Sequence, residues 1–212
     1  MKRMSRYAVK EMLQAQKDWN IIDVACGRTA AWPEANVLMD IKDWTDSYPD
    51  RKFIVGNVED GLPFQDNEFE FAIASHILEH CTDPLKFCNE LRRISKSGYI
   101  EVPTPLSDNL VSGGDTDPWG HKWWVTYNDH DEAIELRPRK DVVHRTVEIP
   151  EINMLYPFFR ESLVTEIFWD NNVINAKICD EIYFYEDKTY DLSKQKINPW
   201  VLGASVLSKV QR

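Results

Sequence analysis

Short apolar runs separated by polar turns recur along the first half of the chain. Residues 21–26 are apolar apart from Asp23 and stop at Gly27, which predicts a buried strand turning sharply at the glycine. Val37–Asp40 predicts a second strand ending in an acid, and Lys52–Val55 a third, closed by Gly56-Asn57. Phe69–Ser75, apolar except for Glu70 and Ser75, predicts a fourth, and 99–102, ended by Pro103, a fifth. Two segments carry helical spacing instead. Residues 2–19 place Tyr7, Val9, Met12 and Leu13 at helical intervals. Residues 84–96 set Leu85, Cys88, Leu91 and Ile94 on one face, with Pro84 in the first turn, Lys96 in the last and Gly98 just beyond.

Alternation of this kind predicts an α/β domain built on a parallel sheet. In such sheets ligands bind beyond the carboxyl ends of the strands. Those ends carry Asp23 to Thr29, Asp40, Asn57, Ser75-His76 and Pro103-Thr104, so polar groups recur where a binding crevice needs them. The texture changes over 103–131, which holds Gly113-Gly114, Asp117-Pro118, Gly120 and His121-Lys122-Trp123-Trp124. A long insertion rich in aromatics reads as a lid over the crevice rather than a linker. Further on, 133–136 and 142–149 predict strands, 152–160 a helix interrupted at Pro157, and 164–170 with 173–178 a hairpin around Asn171-Asn172.

Composition narrows the class. Hydrophobic residues make up 43%, aromatics 12% and charged residues 28%, the balance of a globular chain that forms one domain over 1–212. Twenty-five basic against 35 acidic residues give a net charge of −10, which repels phosphate backbones, so nucleic acid is not an expected partner. No apolar run approaches the roughly 20 residues of a membrane span. The N-terminal segment has Lys2, Arg3 and Arg6 but no apolar core like a signal peptide's, so a cytoplasmic location is expected. Cys26, Cys81, Cys88 and Cys179 show neither CxxC nor metal-finger spacing and read as reduced thiols.

Two constellations carry candidate chemistry. His76-Ile77-Leu78-Glu79-His80 spells H-x-x-E-H, the inverted zinc-peptidase motif, in which the histidines would share a helix face and Glu79 would activate water. Its context opposes that reading, because the motif leaves a buried strand directly and Asp83-Pro84 follows one turn later. His80 then reads as a structural residue. In the lid, His121 lies near Asp115, Asp117, Trp119, Trp123 and Trp124. It would either take a proton from a substrate held among the tryptophans or tether the lid backbone. The basic run Arg137, Arg139, Lys140, His144 and Arg145 would either receive an anionic substrate or form a solvated strand face, and the second reading is preferred.

From Ile21 to Pro105 the chain resembles the class I S-adenosylmethionine-dependent methyltransferases, in the methyltransferase-type-11 group. The residues that carry the resemblance run Gly56-Asn57-Val58-Glu59-Asp60-Gly61-Leu62-Pro63-Phe64 and Asp66-Asn67-Glu68-Phe69-Glu70-Phe71-Ala72. They continue through Ser75-His76-Ile77-Leu78-Glu79-His80, Asp83-Pro84, Glu90-Leu91-Arg92-Arg93 and Gly98-Tyr99-Ile100-Glu101-Val102-Pro103. The resemblance implies a Rossmann-like sheet of about seven strands with a reversed hairpin at one edge. It implies S-adenosylmethionine as cofactor, with Asp23, Ala25 and Gly27 at its methionine end and Asp40 on the ribose hydroxyls. Asn57 and Val58 would meet the adenine, and Ser75 and His76 would lie near the sulfonium. His121 and His76 are then the candidate catalytic residues, with no metal and a small-molecule acceptor. The chain departs from the family pattern at Ala25 and Thr29, which stand where glycines are usual, and at Asn57, where an aspartate is common. Sixteen residues separate Asp23 from Asp40, and they include Pro33, so the loop 28–35 replaces the usual helix. That departure keeps a second reading alive, a catalytically inactive relative serving as a binding or partner subunit. A zinc hydrolase using His76, Glu79 and His80 is the third.

Overall fold

A computed structural model describes residues 1–110, 120–139 and 152–179, all inside the compact unit Met1–Glu181. Its strands and helices are, in chain order, β1 (Lys2–Arg3), α1 (Arg6–Gln14), β2 (Ile21–Val24), β3 (Val37–Asp40), β4 (Lys52–Val55), β5 (Phe69–Ser75), α2 (Pro84–Ile94), β6 (Ser95–Pro103), α3 (Pro105–Leu110), β7 (Trp123–Asn128), β8 (Ala133–Pro138), α4 (Ile152–Leu163), β9 (Val164–Trp169) and β10 (Ala176–Ile178). The main sheet has seven strands in the order β1-β9-β6-β5-β2-β3-β4. Strands β2 to β6 are parallel, and β9 runs antiparallel between β6 and β1. The α/β class and the seven-stranded, Rossmann-like sheet read from the sequence are therefore present.

Alternation along the strands divides the core. Phe71, Ile73 and Tyr99 face one side with Val9, Leu13 and Trp32, while Ile22, Val24, Ala72, Ala74, Ile100 and Val102 face the other with Phe87 and Leu91 of α2. Pro84 at the first turn of α2 and the Asp83 carboxylate, which accepts from Lys86 N at 2.9 Å, start that helix where the sequence predicts. Gly98 is a packing requirement: a Cβ there would overlap the Ala72 carbonyl oxygen and the Trp169 ring.

Four expectations change. The N-terminal helix covers 6–14 rather than 2–19, because Ser5 caps it and Lys2–Arg3 pair with β9 at the sheet edge. The edge hairpin over 164–178 does not form. Asn171 and Asn172 both take left-handed φ values, 52° and 56°, and the Asn172 amide donates to Asn67 Oδ1 and to the Arg92 and Ser95 carbonyls. That tie turns the chain away, and β10 pairs in parallel with β8 in a second sheet of order β10-β8-β7. The break in α4 falls at Phe159, not Pro157. Finally, 123–128 of the expected lid is strand β7, whose Trp124, Val125 and Tyr127 are buried, so this part packs as core. Residues 111–119 of the lid and the predicted strand 142–149 lie outside the described residues. All four cysteines are free thiols.

No helix appears between β2 and β3, as the short spacing predicts. Trp32 fills that space with 0% exposure. Its backbone N–H donates to Asp23 Oδ2 at 2.8 Å and its indole N–H to Ser75 Oγ at 3.1 Å. The ring meets Tyr99 edge-on at 5.1 Å, and the Arg6 guanidinium lies over it at 4.3 Å.

Candidate functional site

The parallel strands bring their carboxyl ends to one edge of the sheet, where the loop after β2 turns through Ala25 and Gly27, at φ 60° and 67°. Gly27 holds that conformation without the steric penalty Ala25 bears. The turn is pinned to β3: Cys26 N donates to the Met39 carbonyl at 3.1 Å, and Gly27 N to Asp40 Oδ2 at 2.9 Å. Asp40 Oδ1 accepts from Lys42 N at 2.9 Å, so both carboxylate oxygens are oriented by backbone. Each keeps a second lone pair for a ligand hydroxyl. After β4, Asn57 caps a short 3-10 turn over Val58–Asp60, its Oδ1 accepting from Glu59 N at 3.1 Å. These ends enclose a cavity of about 190 Å³ whose walls include Ala25, Asp40, Gly56, Asn57, Val58 and His80. Two carboxylates, Asp40 and Glu59, line it, together with apolar Ile41 and Ile77.

Ala25, Asp40, Asn57 and Val58, assigned to the cofactor from the sequence, thus share one wall. Gly27 stands behind it as the donor to Asp40. Asp23 and Ser75 are not among the cavity's lining residues, and both accept from Trp32. Burial pushes the Asp23 carboxyl up from 3.8 to about 7, against the pull of the Trp32 hydrogen bond and the Arg6 and Arg51 charges.

His76, at φ 54° just past β5, belongs to a second cluster. Its Nε2 lies 3.1 Å from Glu101 Oε1, and its Nδ1 3.5 Å from Glu79. Glu101 is 1% exposed and also meets Tyr99 Oη at 2.7 Å, Arg160 at 2.6 Å and Arg6 at 3.3 Å. Burial opposes charge on both partners, yet the hydrogen bonds and guanidinium groups win. Glu101 is held down to about 2, and His76 is raised to about 9. His76 therefore carries a proton at neutral pH. Arg6, Glu101, Arg160 and Glu166 are missed by the sequence reading. Its only signal for them was a charged residue inside the apolar run Tyr99-Ile100-Glu101-Val102.

The inverted zinc-peptidase arrangement is absent. His76 sits in a turn and points to Glu101, whereas His80 ends a 3-10 turn over Leu78–His80, so the two histidines share no helix face. His121 approaches from the segment before β7. Its Nδ1 is 2.8 Å from Asp108 Oδ1, and its ring stands edge-to-face with His80 at 4.6 Å. His80 lines the cavity, with His121 beside it. Of the basic run, Arg137 and Arg139 are described: Arg137 pairs with Glu135 at 2.7 Å, and Arg139 N donates to the Lys122 carbonyl at 2.9 Å; Lys140, His144 and Arg145 lie outside the described residues. No described helix is long and apolar enough to cross a membrane.

Comparison with known proteins gives a family match over residues 22–100, to a model described as a methyltransferase domain. Among solved structures, the chain is similar to the YcgJ protein of Bacillus subtilis, at 17% identity over 50% of this chain and 56% of that one, TM-score 0.39. A putative sarcosine dimethylglycine methyltransferase of Galdieria sulphuraria is 17% identical over 46% of each chain, TM-score 0.38. A protein of Pyrococcus horikoshii OT3 is 21% identical over 59% of this chain and 66% of that one, TM-score 0.39. The chain thus spans about half the length of the first of these structures, 56%. No curated protein matches it.

Proposed function

We infer that this chain is a methyltransferase using S-adenosylmethionine, from the match of its residues 22–100 to a family described as a methyltransferase domain. The observation that carries the reading is the cavity where Asp40, Asn57 and Val58 converge at the ends of β3 and β4. Its residues suit the nucleoside end of that cofactor. A carboxylate with both oxygens oriented by backbone N–H groups is prepared to accept two ribose hydroxyls. Ile41 and Val58 offer apolar surface to an adenine ring, and the Asn57 amide can meet its polar edge. At about 190 Å³ the cavity falls below the roughly 300–1,000 Å³ of most ligand pockets, so it suits that end rather than the whole molecule.

When bound, S-adenosylmethionine supplies a methyl group activated on a sulfonium. The chain's own contribution is positioning and electrostatics. Asp40 and Glu59 give the cavity a negative lining that favours a cationic ligand. His76, protonated below about pH 9, is a fixed donor at the end of β5 and not a proton acceptor near neutrality. His121, held by Asp108, is the candidate to receive a proton from an acceptor that must lose one. The acidic lining and the net charge of −10 favour a small-molecule acceptor over a phosphate-rich polymer.

Turnover tests this directly. Purified protein is incubated with methyl-labelled S-adenosylmethionine and fractionated small-molecule extracts, and S-adenosylhomocysteine is measured over time. Formation in at least one fraction, reduced tenfold or more by Asp40→Ala, supports the reading. Cofactor bound with no turnover in any fraction would assign the chain to the inactive partner-subunit class instead.

A further inference from the structure

Glu79 is 1% exposed, and neither of its carboxyl oxygens takes part in a hydrogen bond. A buried carboxyl in that condition has acceptor capacity that the nearby His76, at 3.5 Å, meets only in part. The side chains nearest to it are imidazoles: His76 Nδ1 at 3.5 Å, itself committed through Nε2 to Glu101, and His80 Nε2 at 3.9 Å. A third imidazole arrives from a different part of the chain. One donor atom each from Glu79, His80 and His121 lies within 4.8 Å of the others.

The backbone holds these groups together. Lys122 N donates to the Glu79 carbonyl at 2.8 Å, and the Trp123 indole N–H donates to the Cys81 carbonyl at 2.8 Å. Those two bonds fasten the segment carrying His121 to the turn carrying Glu79 and His80. Asp108 meets His121 Nδ1 at 2.8 Å and is itself buried. Metal-ligating histidines have such a carboxylate on their other nitrogen, where it fixes the ring and raises its basicity.

We propose that Glu79, His80 and His121 bind a divalent transition-metal ion, zinc in the first instance, with Asp108 orienting His121. Two imidazoles and one carboxylate form a donor set for zinc rather than for magnesium or calcium, which take oxygen ligands. Donor atoms around one tetrahedral zinc stand roughly 3.3 Å apart, so side-chain rotation of about an ångström closes the set. Three protein ligands leave a fourth position for water or a ligand oxygen. Because His80 also lines the cavity, the ion borders it. This differs from the H-x-x-E-H reading, since His76 is not a ligand and His121 takes its place. Its test is independent of methyl transfer, because metal binding is read on the protein alone; with the ion bound, His121 is a ligand and no longer a proton acceptor.

The test uses tag-free full-length protein, stripped with a chelator, titrated with zinc by calorimetry and with cobalt(II) by visible absorption. The expected result is one equivalent bound with micromolar or tighter affinity and the absorption of tetrahedral nitrogen- and oxygen-ligated cobalt. His121→Ala and Glu79→Gln weaken binding at least tenfold, and Asp108→Asn weakens it by about 10- to 100-fold. His130→Ala, at an exposed turn, leaves it unchanged. Circular dichroism reports folding of every variant; if Glu79→Gln fails to fold, His80→Ala takes its place. Three results would overturn the proposal: no stoichiometric metal, affinity indifferent to His121→Ala, or a thiolate-to-cobalt band placing the ion on a cysteine.

Discussion

Asp23 shows how one residue can end a strand, as the pattern predicts, and yet do something the pattern does not disclose. It is 1% exposed and accepts the Trp32 backbone N–H. Its folded pKa of about 7 stands above the ordinary 3.8, so the unfolded chain ionises first as pH rises. Stability is therefore lost between about pH 4 and pH 7 and is level above that range. Asp23→Asn should remove the slope and recover stability on the order of 4 kcal/mol at pH 7, read from urea denaturation across pH. An unchanged slope would mean that Asp23 is not the buried titrating group. Asp40, Asn57, Val58 and Ala25 were legible because they follow the last apolar residue of their strands. What the pattern hides is which way a side chain faces, and Trp32, between Ala31 and Pro33 in a short loop, gives no periodic signal at all.

Among the elements, the strands β2 to β6 and the helix α2 were legible because each is a run of one periodicity bounded by glycine, proline or acid. The failures lie where tertiary bonds override the local pattern: Lys2–Arg3 leave the helix for the sheet edge, and Asn172 diverts the predicted hairpin. The loop between β2 and β3 depends on one side chain. Trp32→Ala should destabilise the fold by about 3–5 kcal/mol, since a fully buried indole leaves a cavity the loop cannot fill. A loss under about 1 kcal/mol in urea unfolding would show that the loop packs without it. The junction of α4 with β6 and β9 rests on Arg160, paired with Glu101 at 2.6 Å and Glu166 at 3.1 Å. Arg160→Met should cost about 2 kcal/mol near neutral pH, less than a full buried pair because Arg6, His76 and Tyr99 still meet Glu101. The loss should shrink as pH falls toward about 2 and Glu101 takes up a proton; a pH-independent loss would contradict the ion-pair account.

For the molecule as a whole, the fold class followed from alternation of strands and helices, but the strand order did not. Sequence adjacency says nothing of β9 inserting between β6 and β1, or of Val125, Tyr127, Ile134 and Leu136 extending the core through a second sheet. Nor could it bring Asp108, His121, His80 and Glu79 together, since their convergence requires the chain to return across the β5 end. The central claim is that the wall built by Asp40, Asn57 and Val58 holds S-adenosylmethionine. Calorimetric titration of S-adenosylhomocysteine into the native protein and into Asp40→Ala tests it most directly. Micromolar binding by the native protein, weakened tenfold or more by the substitution, is the predicted result. No binding to well-folded native protein, or equal binding by both, would contradict it.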